Sequence, residues 1–139
     1  MPHSETSIPE LHSPELYINR EQSLLEFNMR VLAQALDESL PLLERLNYLC
    51  ISCSNLDEFY EVRVASLLQM AEIDSTAISS DGLSIQEQFE KISSKAHELV
   101  AEQYRVLNDV LIPSLETQNI RFLKRDSWSE SQKSWLEKY

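Results

Sequence analysis

The sequence predicts an all-α fold, an up-and-down helical bundle of four or five helices with a long antiparallel pair. The 139 residues include one glycine, Gly82, which disfavours sheets joined by tight turns, because such turns depend on glycine and asparagine. Apolar residues make up 42% of the chain, enough for one core. They recur at helical spacing in several segments. Together these observations favour a single helical domain.

The first helix is expected after a leader. Residues 1–15 hold three of the five prolines and predict a mobile leader, which leaves residues 16–139 for the helical domain. Asn19 and Gln22 form a capping-box pair, so the helix begins there and ends near Glu38. Its predicted apolar face comprises Leu24, Phe27, Val31 and Ala35, flanked by Leu25, Leu32 and Leu36.

Two further helices are expected before residue 73. Pro41 suits the first turn of the second helix, where its missing N–H costs nothing. Serine and asparagine prefer helix caps to helix interiors, so residues 53–55 predict a kink or a fresh start. A third helix then runs from Leu56 to about Glu72, with Asn55 as its N-cap and Glu58 as its capping-box partner.

The longest helix is expected after a polar loop at residues 74–83. Ser84 and Glu87 form its capping box, and Pro113 should kink or end it. Heptad spacing typical of a bundle seam connects Ile85, Phe89, Ile92, Ala96, Leu99, Gln103, Val106 and Val110.

A short final segment completes the expected elements. Residues 120–123 form an extended connector, and Ser129 with Gln132 caps a last helix that carries Trp135. This helix stops abruptly at Tyr139, so we expect the chain to be a truncated part of a larger protein.

Composition excludes several classes of function. The 12 basic and 23 acidic residues give a net charge of −11, which disfavours nucleic-acid binding. The longest apolar runs are too short to span a membrane, and the N-terminus lacks a secretion signal. We expect the scattered residues Arg20, Arg30, Arg45 and Arg63 to be solvated or weakly paired surface charges, with a local phosphate contact as the alternative.

The cysteines and histidines do not form a recognisable metal or redox motif. Cys50 and Cys53 make a lone C-x-x-C within a helical pattern, and we expect them to be half-buried residues in a reducing cytoplasm. His3, His12 and His97 are not placed as the second pair that a zinc site would need.

Several sequence blocks carry a more specific signal. Residues 16–28 read LYINREQSLLEFN, residues 41–49 read PLLERLNYL, residues 54–60 read SNLDEFY, and residues 62–64 read VRV. In order and spacing they resemble the N-terminal domain of the long-chain polyphosphate kinases, the family that uses a phosphohistidine. The resemblance covers about residues 15–139.

Residues 15–68 match the family pattern most closely, and they depart from it at three positions. Leu24 replaces a tryptophan, Asn47 replaces a lysine or arginine, and Cys53 replaces a small polar residue. Leu24 keeps an apolar side chain at its position, so this departure affects packing detail more than the fold. The long helix after Ser84 matches in helical character alone, so no residue role is carried over to it.

The resemblance implies an enzyme that reversibly transfers the terminal phosphate of ATP to polyphosphate. It implies that this domain helps to form the nucleotide pocket, that Asn55 binds ATP, and that the domain alone is not catalytic. The phosphohistidine, the magnesium ligands and the basic residues that hold phosphate would belong to later domains. A cytoplasmic homo-oligomer is implied for the full-length protein.

The role of Asn55, the role of the acidic pair beside it and the function of the domain each have an alternative at this stage. Asn55 can serve as a helix cap, as a nucleotide contact, or as both if Ser54 caps the helix. Asp57 and Glu58 would favour the helix dipole in a first turn, because adjacent helical residues point apart and do not converge on one metal ion. The alternative function is a non-catalytic helical interaction module that binds another protein through its apolar seam or through Trp128 and Trp135.

Overall fold

The computed structural model describes residues 13–138. Its α-helices are α1 (Arg20–Ala33), α2 (Leu42–Glu58), α3 (Ala65–Ile73), α4 (Ile85–Arg105), α5 (Ile112–Thr117) and α6 (Glu130–Leu136). Two π-helical stretches, Phe59–Val64 and Val106–Leu111, join α2 to α3 and α4 to α5. Within the described residues, extended backbone pairs at a single isolated bridge, Ile78 with Ser84. The predicted all-α fold is confirmed.

The predicted capping residues begin their helices. The Asn19 side chain accepts a hydrogen bond from the Gln22 N–H at 2.9 Å, ahead of α1. Ser84 and Ser129 form complete capping boxes at the starts of α4 and α6. Gly82 lies in the loop before α4 with φ of 84°, a conformation that L side chains rarely adopt.

Cross-helix contacts define the up-and-down order. The Asn28 and Arg45 side chains bond the backbone carbonyls of Ser52 and Ala35, which sets α1 antiparallel to α2. Ser52 also contacts Gln103, near the far end of α4. Further along the chain, α3 approaches the start of α4, where the two helices line one groove. The continuous helical runs 42–73 and 85–117 therefore form the predicted long antiparallel pair.

The hydrophobic core lies between α1 and these two runs. Its most deeply buried members include Leu25, Leu32, Ala35, Leu49, Leu56, Phe59, Ile92, Ala96, Leu99, Val106 and Leu111. A surface ion pair between Lys95 and Glu26 connects α4 to α1. None of the helices in the described part of the chain is both long and apolar enough to cross a membrane.

The predicted break at residues 53–55 is wrong, because α2 is unbroken from Leu42 to Glu58. The polar side chains in this region bond to neighbouring helices instead of to their own backbone. Ser52 accepts from Gln103, and Asn55 donates to Asn28. Since Leu56 continues the buried face, packing outweighs the local preference of serine and asparagine for caps.

The predicted inward face of α1 is wrong in part. Leu24 and Phe27 are exposed, and Phe27 is 61% exposed. The buried positions of α1 are instead Glu21, Leu25, Asn28 and Leu32. Glu21 and Asn28 occupy inward positions because other helices supply partners for their polar atoms.

The long helix does not end at Pro113. Its α-helical geometry gives way to the π-helical stretch Val106–Leu111, and α-helix resumes as α5 through Thr117. Pro113 lies inside the continuous helical run, just after the π-helical stretch, so the departure from α-helical geometry falls where its ring and its missing N–H would disturb an α-helix. The predicted leader, residues 1–15, lies largely outside the described residues; from Ser13 onward, Pro14–Leu16 form a 3₁₀ turn.

Candidate functional site

A small pocket opens between α1 and the junction of α2 with its π-helical stretch. Its volume is about 270 Å³, slightly below the range of about 300–1,000 Å³ for small-molecule sites. It is lined by Leu24, Leu25, Phe27, Asn28, Asn55, Glu58, Phe59, Val62 and Arg63. Most of these side chains are apolar, and the exposed Leu24 and Phe27 form one wall. The pocket therefore combines apolar walls with a few polar groups.

Asn55 lies in this pocket, on the last two turns of α2. Its side chain is half-buried, and its Nδ2 donates to Asn28 Oδ1 at 3.3 Å. Because Asn55 is inside an unbroken helix, the prediction that it caps a new helix is wrong. The amide is therefore available for contacts in the pocket.

Asn28 holds the inner end of this contact and was missed by sequence reasoning. It is 3% exposed, and its Nδ2 donates to the backbone carbonyl of Ser52 at 2.9 Å. A signal existed, because Asn28 is in helical phase with Leu25 and Leu32 on the buried face of α1. A polar residue at such a position requires a buried partner.

Ser52 extends the contacts to a third helix. It is fully buried, and its hydroxyl accepts a hydrogen bond from Gln103 Nε2 at 3.0 Å. Asn55, Asn28, Ser52 and Gln103 thus connect α2, α1 and α4 beneath the pocket, and we call these four residues the amide relay. Since every buried member has a partner, the relay fixes the position of the pocket floor.

The charges at the pocket are already partly balanced. Arg63 donates to Glu21 at 2.7 Å, and Glu21 is 7% exposed. Among the described residues, Arg63 Nε is the one side-chain nitrogen or oxygen that is buried without a hydrogen-bond partner. Glu58 adds a negative charge at the rim. The lining therefore has no excess of positive charge.

Of the four arginines considered in the sequence, the other three, Arg20, Arg30 and Arg45, differ in role. Arg20 and Arg30 are exposed, as expected for surface charges. The expectation for Arg45 is wrong, since it is 8% exposed and its Nε donates to the Ala35 carbonyl at 2.8 Å. That bond satisfies a carbonyl at the end of the α1 region, so Arg45 is structural.

The acidic pair beside Asn55 is not in a first turn. Asp57 and Glu58 are exposed and end α2, where they precede the π-helical stretch, so the predicted stabilisation of a helix N-terminus is wrong. The described residues contain no group of three or more His, Cys, Asp or Glu side chains that could hold a metal ion.

Cys50, Cys53 and His97 do not line the pocket. The expectation that Cys50 and Cys53 are half-buried is wrong, since both are free thiols in the exposed class. Partial burial, followed by the nearby Cys50 and Asp57, raises the pKa of the Cys53 thiol. His97 is exposed on α4 and lies beside the Ser93 carbonyl at 2.7 Å. His3 and His12 are outside the described residues.

The fold and the site define a class of protein: an all-α domain with a small, mainly apolar pocket floored by buried amides. A family model described as the polyphosphate kinase N-terminal domain matches residues 17–123. The chain belongs to this family.

Relatives named polyphosphate kinase match most of the chain. The Pseudomonas putida protein is 47% identical over 133 residues, 96% of this chain. The Pseudomonas aeruginosa protein is 48% identical and covers 89% of the chain, and the Burkholderia multivorans protein is 45% identical and covers 88%. The chain spans 18% of the length of each of these curated relatives. No solved structure matches the chain.

Proposed function

We propose that this chain is the N-terminal domain of a longer polyphosphate kinase, which reversibly transfers the terminal phosphate of ATP to polyphosphate. In that enzyme the domain forms the nucleobase side of the ATP pocket, with Asn55 as the contact to the base. The domain supplies no catalytic residue. The observation that carries the proposal is the half-buried Asn55 amide in a small apolar pocket on a domain of this family.

The pocket suits a purine base better than a whole nucleotide. Its apolar lining can cover the faces of a flat ring, and the exposed Phe27 ring offers a stacking surface. The Asn55 amide carries both a donor and an acceptor, which match the edge of adenine at its amino group and N7. One such hydrogen bond contributes about 0.5–1.5 kcal/mol. Asn55 is thus a residue for affinity and orientation.

The phosphates require groups from elsewhere in the enzyme. Phosphoryl transfer depends on cations and magnesium that surround the reacting phosphate. In this pocket the one arginine, Arg63, already pairs with Glu21. The net charge of −11 also makes the domain a poor lining for a polyphosphate path. We therefore assign the polyphosphate path and the magnesium site to other domains, in a cytoplasmic homo-oligomer.

The alternative, a helical interaction module, has one observation in its favour. The segment after α5 exposes large apolar side chains, among them Phe122 and Trp135. In a longer kinase these side chains would contact the next domain, so the same observation fits the main proposal. Binding of ATP that depends on Asn55 distinguishes the two functions, since an interaction module requires no nucleotide.

The test is ATP titration of the full-length protein with Asn55→Ala. We expect ATP to bind about 2- to 13-fold more weakly, because one base contact is lost while the other domains still hold the phosphates. Asn47→Ala is the matched control, since Asn47 is an exposed asparagine on the same helix and does not line the pocket. Equal ATP affinity in the Asn55→Ala and Asn47→Ala variants would refute the nucleotide contact.

A further inference from the structure

The amide relay fixes which way the Asn55 side chain is turned. The carbonyl of Ser52 can only accept a hydrogen bond, so Asn28 must direct its Nδ2 towards it. Asn28 then presents Oδ1, a pure acceptor, to Asn55. Asn55 must therefore direct its own Nδ2 inward, because the opposite orientation would set two oxygens against each other.

This orientation decides what Asn55 offers to a ligand. With Nδ2 turned towards Asn28, Asn55 Oδ1 is the acceptor that remains, and within residues 13–138 no donor bonds to it. Among the described residues, Arg63 Nε is the one side-chain nitrogen or oxygen that is both buried and without a hydrogen-bond partner. Asn55 Oδ1 has no partner either, so it is not a buried atom. The Oδ1 atom is therefore open at the pocket. Its nitrogen keeps a second hydrogen that can reach N7 of a purine.

We propose that Asn28 is a positioning residue that makes this pocket select a 6-aminopurine over a 6-oxopurine. An outward Oδ1 accepts a hydrogen bond from the 6-amino group of adenine. A 6-oxo group places an acceptor against the same oxygen, which is unfavourable unless the amide turns over. Asn28 prevents that turn, because a reversed Asn55 loses its inner hydrogen bond and faces the Asn28 oxygen.

The inference rests on the proposed function and adds the base selectivity of that site. A purely structural Asn28 would affect stability and overall affinity while leaving the preference between two bases unchanged. The ratio of kcat/KM for ATP to that for inosine triphosphate separates these roles, since the two bases differ in the 6-position and the adjacent N1 proton. Both nucleotides carry the same triphosphate, so contacts to the phosphates cancel in the ratio.

The experiment compares three Asn28 variants of the full-length protein. In Asn28→Ala the Asn55 amide is free to turn, and we expect the ATP preference to fall about 5- to 10-fold. In Asn28→Asp the buried carboxyl, in its protonated form, donates to the Ser52 carbonyl through its O–H while its other oxygen accepts the hydrogen bond from Asn55, so the preference should stay within about twofold of the wild type. Asn28→Leu, which fills the buried space without polar atoms, should behave as alanine does and serves if the alanine variant does not fold.

The outcomes separate this inference from the proposed function. A lost preference in Asn28→Ala or Asn28→Leu, together with a kept preference in Asn28→Asp, supports the inference. An unchanged preference in the apolar variants, while Asn55→Ala still weakens ATP binding, overturns the inference and leaves the proposed function intact. Equal loss in Asn28→Asp and Asn28→Ala also overturns it. If Asn55→Ala has no effect on ATP binding, the proposed function fails as well.

Discussion

The hydrogen bond from Gln103 to Ser52 joins α4 to α2 within the amide relay, and the sequence pattern alone does not predict it. Ser52→Ala removes the acceptor and leaves the Gln103 amide buried without a partner. The lost bond and the unpaired amide together cost about 1–3 kcal/mol. For a chain of 139 residues, about 4 °C of melting temperature corresponds to each kcal/mol, so we expect a decrease of about 4–12 °C.

A double-mutant cycle isolates this interaction. Thermal unfolding followed by circular dichroism is measured for Ser52→Ala, Gln103→Leu and the double variant. Removing both polar partners leaves no unpaired amide, so the double variant should be more stable than the sum of the single changes predicts, by about 1 kcal/mol or more. Additive effects, or a Ser52→Ala melting temperature within about 1 °C of the wild type, would refute this account of the pocket floor.

Three further predictions follow from single groups. Hydrogen bonds from the Ser84 hydroxyl and backbone N–H hold the pKa of Glu87 below its usual 4.5. Glu87 therefore adds stability above about pH 4.5 that is lost as the pH falls through the lowered pKa, and the difference in urea midpoint between wild type and Glu87→Ala should shrink from pH 7 to pH 3. Arg63→Ala should lower the free energy of unfolding, measured in urea, by about 1–2 kcal/mol, a value reduced because the Arg63 side chain is partly exposed. Adding Glu21→Gln to Arg63→Ala should recover part of this loss, because it removes the buried charge that has lost its partner. Because the pKa of the Cys53 thiol is raised, iodoacetamide should alkylate Cys53 more slowly at pH 8 than it alkylates the cysteine of a short unstructured peptide in the same buffer. An equal rate would contradict this prediction.

The elements that sequence reasoning placed correctly depend on local chemistry. Capping residues Asn19, Ser84 and Ser129 act within one turn of their own helix, so neighbouring residues suffice to predict them. The heptad spacing of α4 was also correct, because a long helix against a partner buries one regular stripe. Ile92 and Leu99 are both buried there.

The errors lie where contacts between distant segments decide the structure. Residues 53–55 were expected to break a helix on their own preferences, yet Asn28 satisfies Asn55 from 27 residues away. The same kind of contact explains why Phe27 faces the pocket and not the core. The buried face of α1 was predicted from its apolar residues alone. Asn28 was left out of that face because it is polar, although it is buried and Phe27 lines the pocket.

The candidate site was predictable in part. Asn55 came from the resemblance, and the structure adds the pocket around it. The spacing of Asn28 from Leu25 and Leu32 indicates burial, but its role in turning the Asn55 amide could not be predicted, because that role depends on the carbonyl of Ser52 on another helix. A buried polar residue in phase with an apolar stripe is the signal that sequence reasoning can use in such cases.

The most direct test is a structure of the full-length protein bound to a non-hydrolysable ATP analogue. We predict that the adenine ring occupies the pocket between α1 and α2, with its amino nitrogen about 2.7–3.2 Å from Asn55 Oδ1. An adenine bound elsewhere, or one that meets Asn55 through Nδ2 alone, would contradict the account.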